Sequence, residues 1–193
     1  MFTLKRQIPW LLIALRAVAA LLLAAGLIAG KSNDRSTLAL VVVAFVSDYF
    51  DGVIARALGV VTHHLRQADS VVDTVFYLLL ALATWQRHPD AFRAHPVAIA
   101  TCLGTLAAWY VLDVIRWRAV AGYHSWTAKL FALSLGIWAV ALFGFGVNDP
   151  WLVIAAATGT VSHIEGMAIS LALRAHRADV RSLLHALAWR RSP

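Results

Sequence analysis

Apolar residues run along this chain in blocks, each closed by a short polar stretch. Six such blocks fall near residues 8–30, 38–56, 69–85, 97–115, 130–147 and 151–173. A helix needs about 20 residues to cross the hydrocarbon of a bilayer, so the pattern predicts six transmembrane helices. The breaks are polar turns: KSNDRST at 31–37, residues 57–68, the two-proline segment 86–96, residues 116–129 with Gly122, and Asn148-Asp149-Pro150. Lys5 and Arg6 precede the first block, as in a signal peptide. That block is longer than a signal core and five more follow, so it reads as the first span. The last stretch, 174–193, is basic, with Leu183, Leu184, Leu187 and Trp189 on one side. It predicts an amphipathic helix lying on the membrane surface. The fold expected is an all-α integral membrane protein, one domain over residues 1–193.

Composition agrees: 61% of the 193 residues are apolar and 14% charged, which excludes an ordinary soluble domain. The net charge of +7 could mark a nucleic-acid binder, but its distribution favours a topogenic role. With both termini on one side, that side holds twelve of the 17 Lys and Arg, the other side four, and Arg16 lies inside the first span. The bias predicts an N-in, C-in orientation, with no nucleic-acid partner. Trp10, Trp85, Trp151 and Trp189 sit near span ends, as interfacial anchors do. The lone Cys102 excludes an internal disulfide.

Against this apolar background one stretch stands out: DYFDGVIARALGVVTHHLRQADSVVD, residues 48–73. Asp48 and Asp51 are three apart and Asp69 and Asp73 four apart, so each pair shares a helix face. A tight turn between the two helices would bring the pairs together. Carboxylates converging at membrane depth must pair, protonate or bind a cation. A set of oxygen donors without Cys or His suits Mg²⁺, Mn²⁺ or Ca²⁺. Gly52 and Ala55 leave a bare helix face, and Arg56 has the bidentate geometry that phosphate takes. Together these residues read as a site for a diphosphate-containing molecule, opening to the cytosol. Arg16, a third of the way into its span, either faces the protein interior or a cavity or snorkels to the near interface.

The pattern D-x-x-D-G-x-x-A-R followed by D-x-x-x-D resembles the signature of the CDP-alcohol phosphatidyltransferases. Asp48, Asp51, Gly52, Ala55, Arg56, Asp69 and Asp73 all match at the family spacing. Leu65 stands where the family usually has Gly, a residue that lets the nucleotide approach closely. Ile8-Pro9 with Leu15-Arg16 resembles the family's N-terminal I-P-N-x-L-T-x-x-R segment without its Asn and Thr. Ala128-Lys129 is similar to the start of a G-K-x-K segment of phosphatidylglycerophosphate synthases, with Phe131 at its second Lys. The resemblance implies a CDP-linked lipid donor, usually CDP-diacylglycerol, held through two divalent cations, Mg²⁺ or Mn²⁺. It implies Asp48, Asp51 and Asp69 as metal ligands, with Asp73 beside the metals as general base on the alcohol acceptor, and release of CMP. Gly52, Ala55 and Arg56 would take the nucleotide and diphosphate. Arg116, Arg118 and Lys129, at the same membrane face, would hold an acceptor phosphate or serve only as topogenic charge. Glycerol 3-phosphate is slightly favoured as acceptor. The resemblance also implies a homodimer in the inner (cytoplasmic) membrane.

Two other classes compete. A prenyl-diphosphate transferase also carries two Asp-rich motifs, but those usually lie in separate halves of a longer chain. A cation carrier or a non-catalytic relative would also place acidic pairs in helices, though a carrier has no use for Gly52, Ala55 and Arg56 at these offsets. His63 and His64 are adjacent, point apart on a helix, and read as interfacial polar groups. Asp113 is expected to pair with Arg116 or Arg118. His163 and Glu165, inside the sixth span, are either functional or engaged in inter-helix hydrogen bonds.

Overall fold

The structure, a computed structural model, describes residues 2–60, 62–119, 123, 125–175 and 180–191. Gly122 and Arg177 lie outside the described residues. The chain is all-helical there: α1 (Phe2–Ile28), α2 (Asp34–Ala57), α3 (His63–Arg87), α4 (Pro89–Arg93), α5 (Pro96–Trp117), α6 (Trp126–Phe145), α7 (Trp151–Ala172) and α8 (Leu183–Arg191). Six of these helices are long and apolar enough to cross a membrane, as the hydropathy pattern predicts. The chain packs as two compact units. One comprises residues 1–91 with 139–146, the other 92–138 with 147–193.

In the first unit α1 is the central helix, packing against both α2 and α3. Its buried positions, Ile13, Arg16, Ala20, Leu23 and Leu27, recur at three and four residues and so form one stripe. The inward stripe of α2 runs Thr37, Val41, Ala44, Ser47, Asp51 and Ala55. Leu65, Phe76, Leu80 and Ala83 are buried along α3, and Asp69 and Asp73 continue that spacing. Charged residues at 16, 51, 69 and 73 thus occupy positions that the helical period directs into the core.

The link between α2 and α3 is shorter than the sequence suggests, because α3 begins at His63 and not near Asp69. Gly59, with φ of +62°, ends α2 in the left-handed conformation that glycine adopts without strain. The Val60 N–H returns to the Ala55 carbonyl at 3.0 Å. The Thr62 hydroxyl then caps α3 by accepting from the Leu65 N–H at 3.2 Å. At the other end of the hairpin, Arg87 and His88 both reach the Asp34 carboxylate.

In the second unit α5 packs on α7 through small residues. A Cβ on Gly159 would stand 2.8 Å from Cys102 Sγ, and one on Gly166 would stand 2.6 Å from the Trp109 ring. Both pairs are seven apart in sequence, so two turns of each helix mesh. Tyr123, Ile169, Leu173, Val180 and Ala186 close a core around the end of α7 and α8. Residues 86–96, expected as loop, include α4. Helix α6 starts at Trp126, which puts Lys129 in its first turn rather than in a polar crossing. Gly166→Ala is expected to lower stability by about 1–3 kcal/mol through overpacking against Trp109. Gly104→Ala, with nothing within 4 Å, is expected to leave the melting temperature in detergent unchanged or slightly raised.

Candidate active site

The carboxylates of Asp48, Asp51, Asp69 and Asp73 converge on one point in the first unit, and the Arg16 side chain of α1 occupies it. Arg16 Nη1 donates to Asp69 at 2.7 Å and to Asp73. Arg16 Nη2 donates to Asp51 and lies 3.4 Å from Asp48. The Arg16 side chain is 1% exposed and that of Asp51 7%, whereas Asp48 is 38% exposed. The cluster is therefore closed at Arg16 and Asp51 and open at Asp48.

Charge decides what this arrangement can hold. With all four carboxylates ionised, one guanidinium would balance one of them and leave three negative charges in surplus. Carboxylates this close repel strongly where water is scarce, and α1 supplies no second cation among the described side chains. Asp48, Asp51 and Asp69 each offer an oxygen within 4.8 Å of the others. Hard divalent cations take oxygen ligands at about 2.0–2.6 Å, so the donor chemistry, the spacing and the excess charge all fit such ions. The three residues grouped in this way are three of the four aspartates expected around the metals.

The neighbouring motif residues divide. Ala55 is 4% exposed and packs against Ile13 and Leu65, so protein covers that part of the expected shelf. Gly52 leaves room for Arg56: a Cβ there would come within 3.1 Å of Arg56 Nη1. The bare face thus lets the exposed Arg56 fold back along its own helix. Leu65 is buried in the same small cluster, 6% exposed. The side chain of His63 lies outside the described residues, and His64 is exposed on the first turn of α3.

Arg116, Arg118 and Lys129 belong to the second unit. Arg116 donates to the Leu173 carbonyl at 2.9 Å, satisfying the end of α7, and its guanidinium lies 4.9 Å from the Trp117 ring. Arg118 is the C-cap of α5 in the left-handed region, with φ of 53°. Lys129 Nζ stands 4.4 Å from the Trp126 ring centroid. Asp113, expected to pair with one of these arginines, is fully buried and accepts from Ser170, whose hydroxyl also meets the Tyr123 hydroxyl at 3.1 Å. His163 Nδ1 lies 3.2 Å from both the Thr105 hydroxyl and the Cys102 carbonyl, an inter-helix hydrogen bond between α7 and α5. Glu165 accepts from Thr127 and from the Leu183 N–H at 3.2 Å. It ties the starts of α6 and α8 to α7.

Reading the sequence did not connect Arg16 to the aspartates. The available signal was its position on the stripe Ile13, Arg16, Ala20, Leu23, where only a partner in the core can satisfy a charge.

The family model for CDP-alcohol phosphatidyltransferases matches residues 6–172, most of the chain, and contains every element of this cluster. The protein belongs to the CDP-alcohol phosphatidyltransferase family. The family comprises phosphotransferases that transfer phospholipid head groups from a CDP-alcohol and are generally dependent on divalent cations. No curated protein and no solved structure matches the chain.

Proposed function

We propose that the protein is a metal-dependent phosphotransferase of phospholipid synthesis. It moves a phosphatidyl group from CDP-diacylglycerol to a small alcohol, with glycerol 3-phosphate slightly favoured, and releases CMP. The observation that carries this reading is the convergence of Asp48, Asp51, Asp69 and Asp73 at one point that opens at Asp48. The resemblance and the charge bias support an inner-membrane protein whose site faces the cytosol, where nucleotide substrates are found. The resemblance alone supports a homodimer.

Asp48, Asp51 and Asp69 would hold the divalent cations, with Asp73 beside them. Bound there, Mg²⁺ or Mn²⁺ would neutralise the diphosphate and polarise its leaving group. Arg56, exposed and lying over Gly52, would take a phosphate oxygen of the nucleotide. Asp73 is 29% exposed, so a hydroxyl can reach it. Its carboxylate takes the proton from the acceptor alcohol. The alcohol oxygen forms a bond to the lipid-side phosphorus, the bond to the bridging oxygen breaks, and CMP departs with that electron pair. Arg116, Arg118 and Lys129 are proposed to bind an acceptor phosphate. Arg118 and Lys129 are exposed, while Arg116 already serves the end of α7.

The test is CMP release by purified protein in lipid with CDP-diacylglycerol and Mg²⁺ or Mn²⁺, across a panel of acceptors. Glycerol 3-phosphate is expected to give the highest rate, and chelation with EDTA to stop it. Turnover that survives chelation would exclude the proposed metal dependence.

A further inference from the structure

Arg16 makes more contacts within the tetrad than any one aspartate does. It reaches all four carboxylates, is 1% exposed, and has its Nε buried with no hydrogen-bond partner among the described residues. A lysine could not do this, because a point charge cannot fork across carboxylates contributed by two helices. The oxygens engaged by Arg16 belong to the same three residues that would ligate a cation, Asp48, Asp51 and Asp69, together with Asp73. A guanidinium bound at their focus and a divalent cation drawn to the same focus repel each other, and both require those lone pairs.

We propose that Arg16 is the resident counter-ion of the tetrad, which competes with divalent cation for these carboxylates and yields them when the metal binds. This rests on the metal-dependent reading above and adds a residue outside the aspartate motif that sets metal affinity. Without metal, Arg16 holds α2 and α3 together across their acidic faces. Once metal binds, the cation takes over that bridging. Arg16 is a positioning residue, acting through the aspartates.

The experiment measures Mn²⁺ binding to the full chain in detergent, without any substrate, by calorimetry or by loss of the free-ion spin-resonance signal. The thermal midpoint is followed with and without Mn²⁺. Arg16→Gln is expected to bind Mn²⁺ at least about tenfold more tightly than the parent protein. Its metal-free form is expected to melt lower, so Mn²⁺ raises its midpoint by a larger increment. Arg16→Lys, which keeps the charge and loses the fork, is expected to fall between the two, and it serves as the test if the Gln variant fails to fold. Affinity in Arg16→Gln equal to or weaker than the parent's would overturn the competition and leave the enzymatic reading standing, as would parent-like affinity in Arg16→Lys where the Gln variant cannot be made. Failure of parent and variants alike to bind Mn²⁺ would overturn both.

Discussion

Replacing Asp73 by Asn is expected to cut CMP release by about 10²–10⁴-fold, the usual worth of a positioned general base. The substitution is nearly isosteric and keeps a side chain that Arg16 can still reach. It removes the charge and the proton acceptor. Asp48, Asp51 and Asp69, whose oxygens lie within 4.8 Å of one another, are untouched, and Arg16 retains its contact to Asp69 at 2.7 Å. Metal-dependent binding of the CDP-lipid is therefore expected to survive while turnover fails. Measuring donor binding and CMP release on the same preparation separates these effects. Equal turnover by the parent and the variant would remove Asp73 from the chemistry.

Leu65 gives the largest expected effect on stability. It stands where the family usually has Gly, and on sequence alone that departure bears on how the nucleotide fits. The structure assigns the side chain a packing role, buried on Ile13 and Ala55 at the point where α3 meets α1 and α2. Leu65→Ala is expected to destabilise the protein by about 2–5 kcal/mol through the lost contacts and the cavity. Leu65→Gly is expected to cost somewhat more, up to about 1 kcal/mol, because glycine loses more backbone freedom on folding, even in the first turn of α3. The readout is the melting temperature in detergent, with CMP release normalised to folded protein. A Gly variant that melts like the parent and turns over faster would show that the leucine obstructs the nucleotide instead of holding the hairpin.

What the sequence revealed and what it hid follow one physical division. Span number is an average over some twenty residues, so single polar residues such as Arg16 or Asp113 do not blur it. The carboxylate pairs were legible because their spacing is local. The start of α3 was not, since HHLRQA carries no apolar period and its cap, Thr62, looks like any other turn residue. The partners of the intramembrane charges were hidden for a different reason. Arg16 meets Asp69 across 53 residues and Asp113 meets Ser170 across 57. Nothing in the intervening sequence records which helix will lie against which. Glu165 belongs to the same class: its partner Leu183 opens the short helix α8, a pairing that hydropathy does not record.

The order of these groups along the chain bears on biogenesis. Arg16 and all four aspartates lie within the first 73 residues, so a ribosome has finished the tetrad before it reaches α5. A carboxylate within an inserting helix is costly at the translocon, most at the centre and less toward the ends, and α2 and α3 each bring two members of the tetrad. Because α1 enters first, its arginine is already in the bilayer when the acidic helices arrive, so the cation precedes the anions it neutralises.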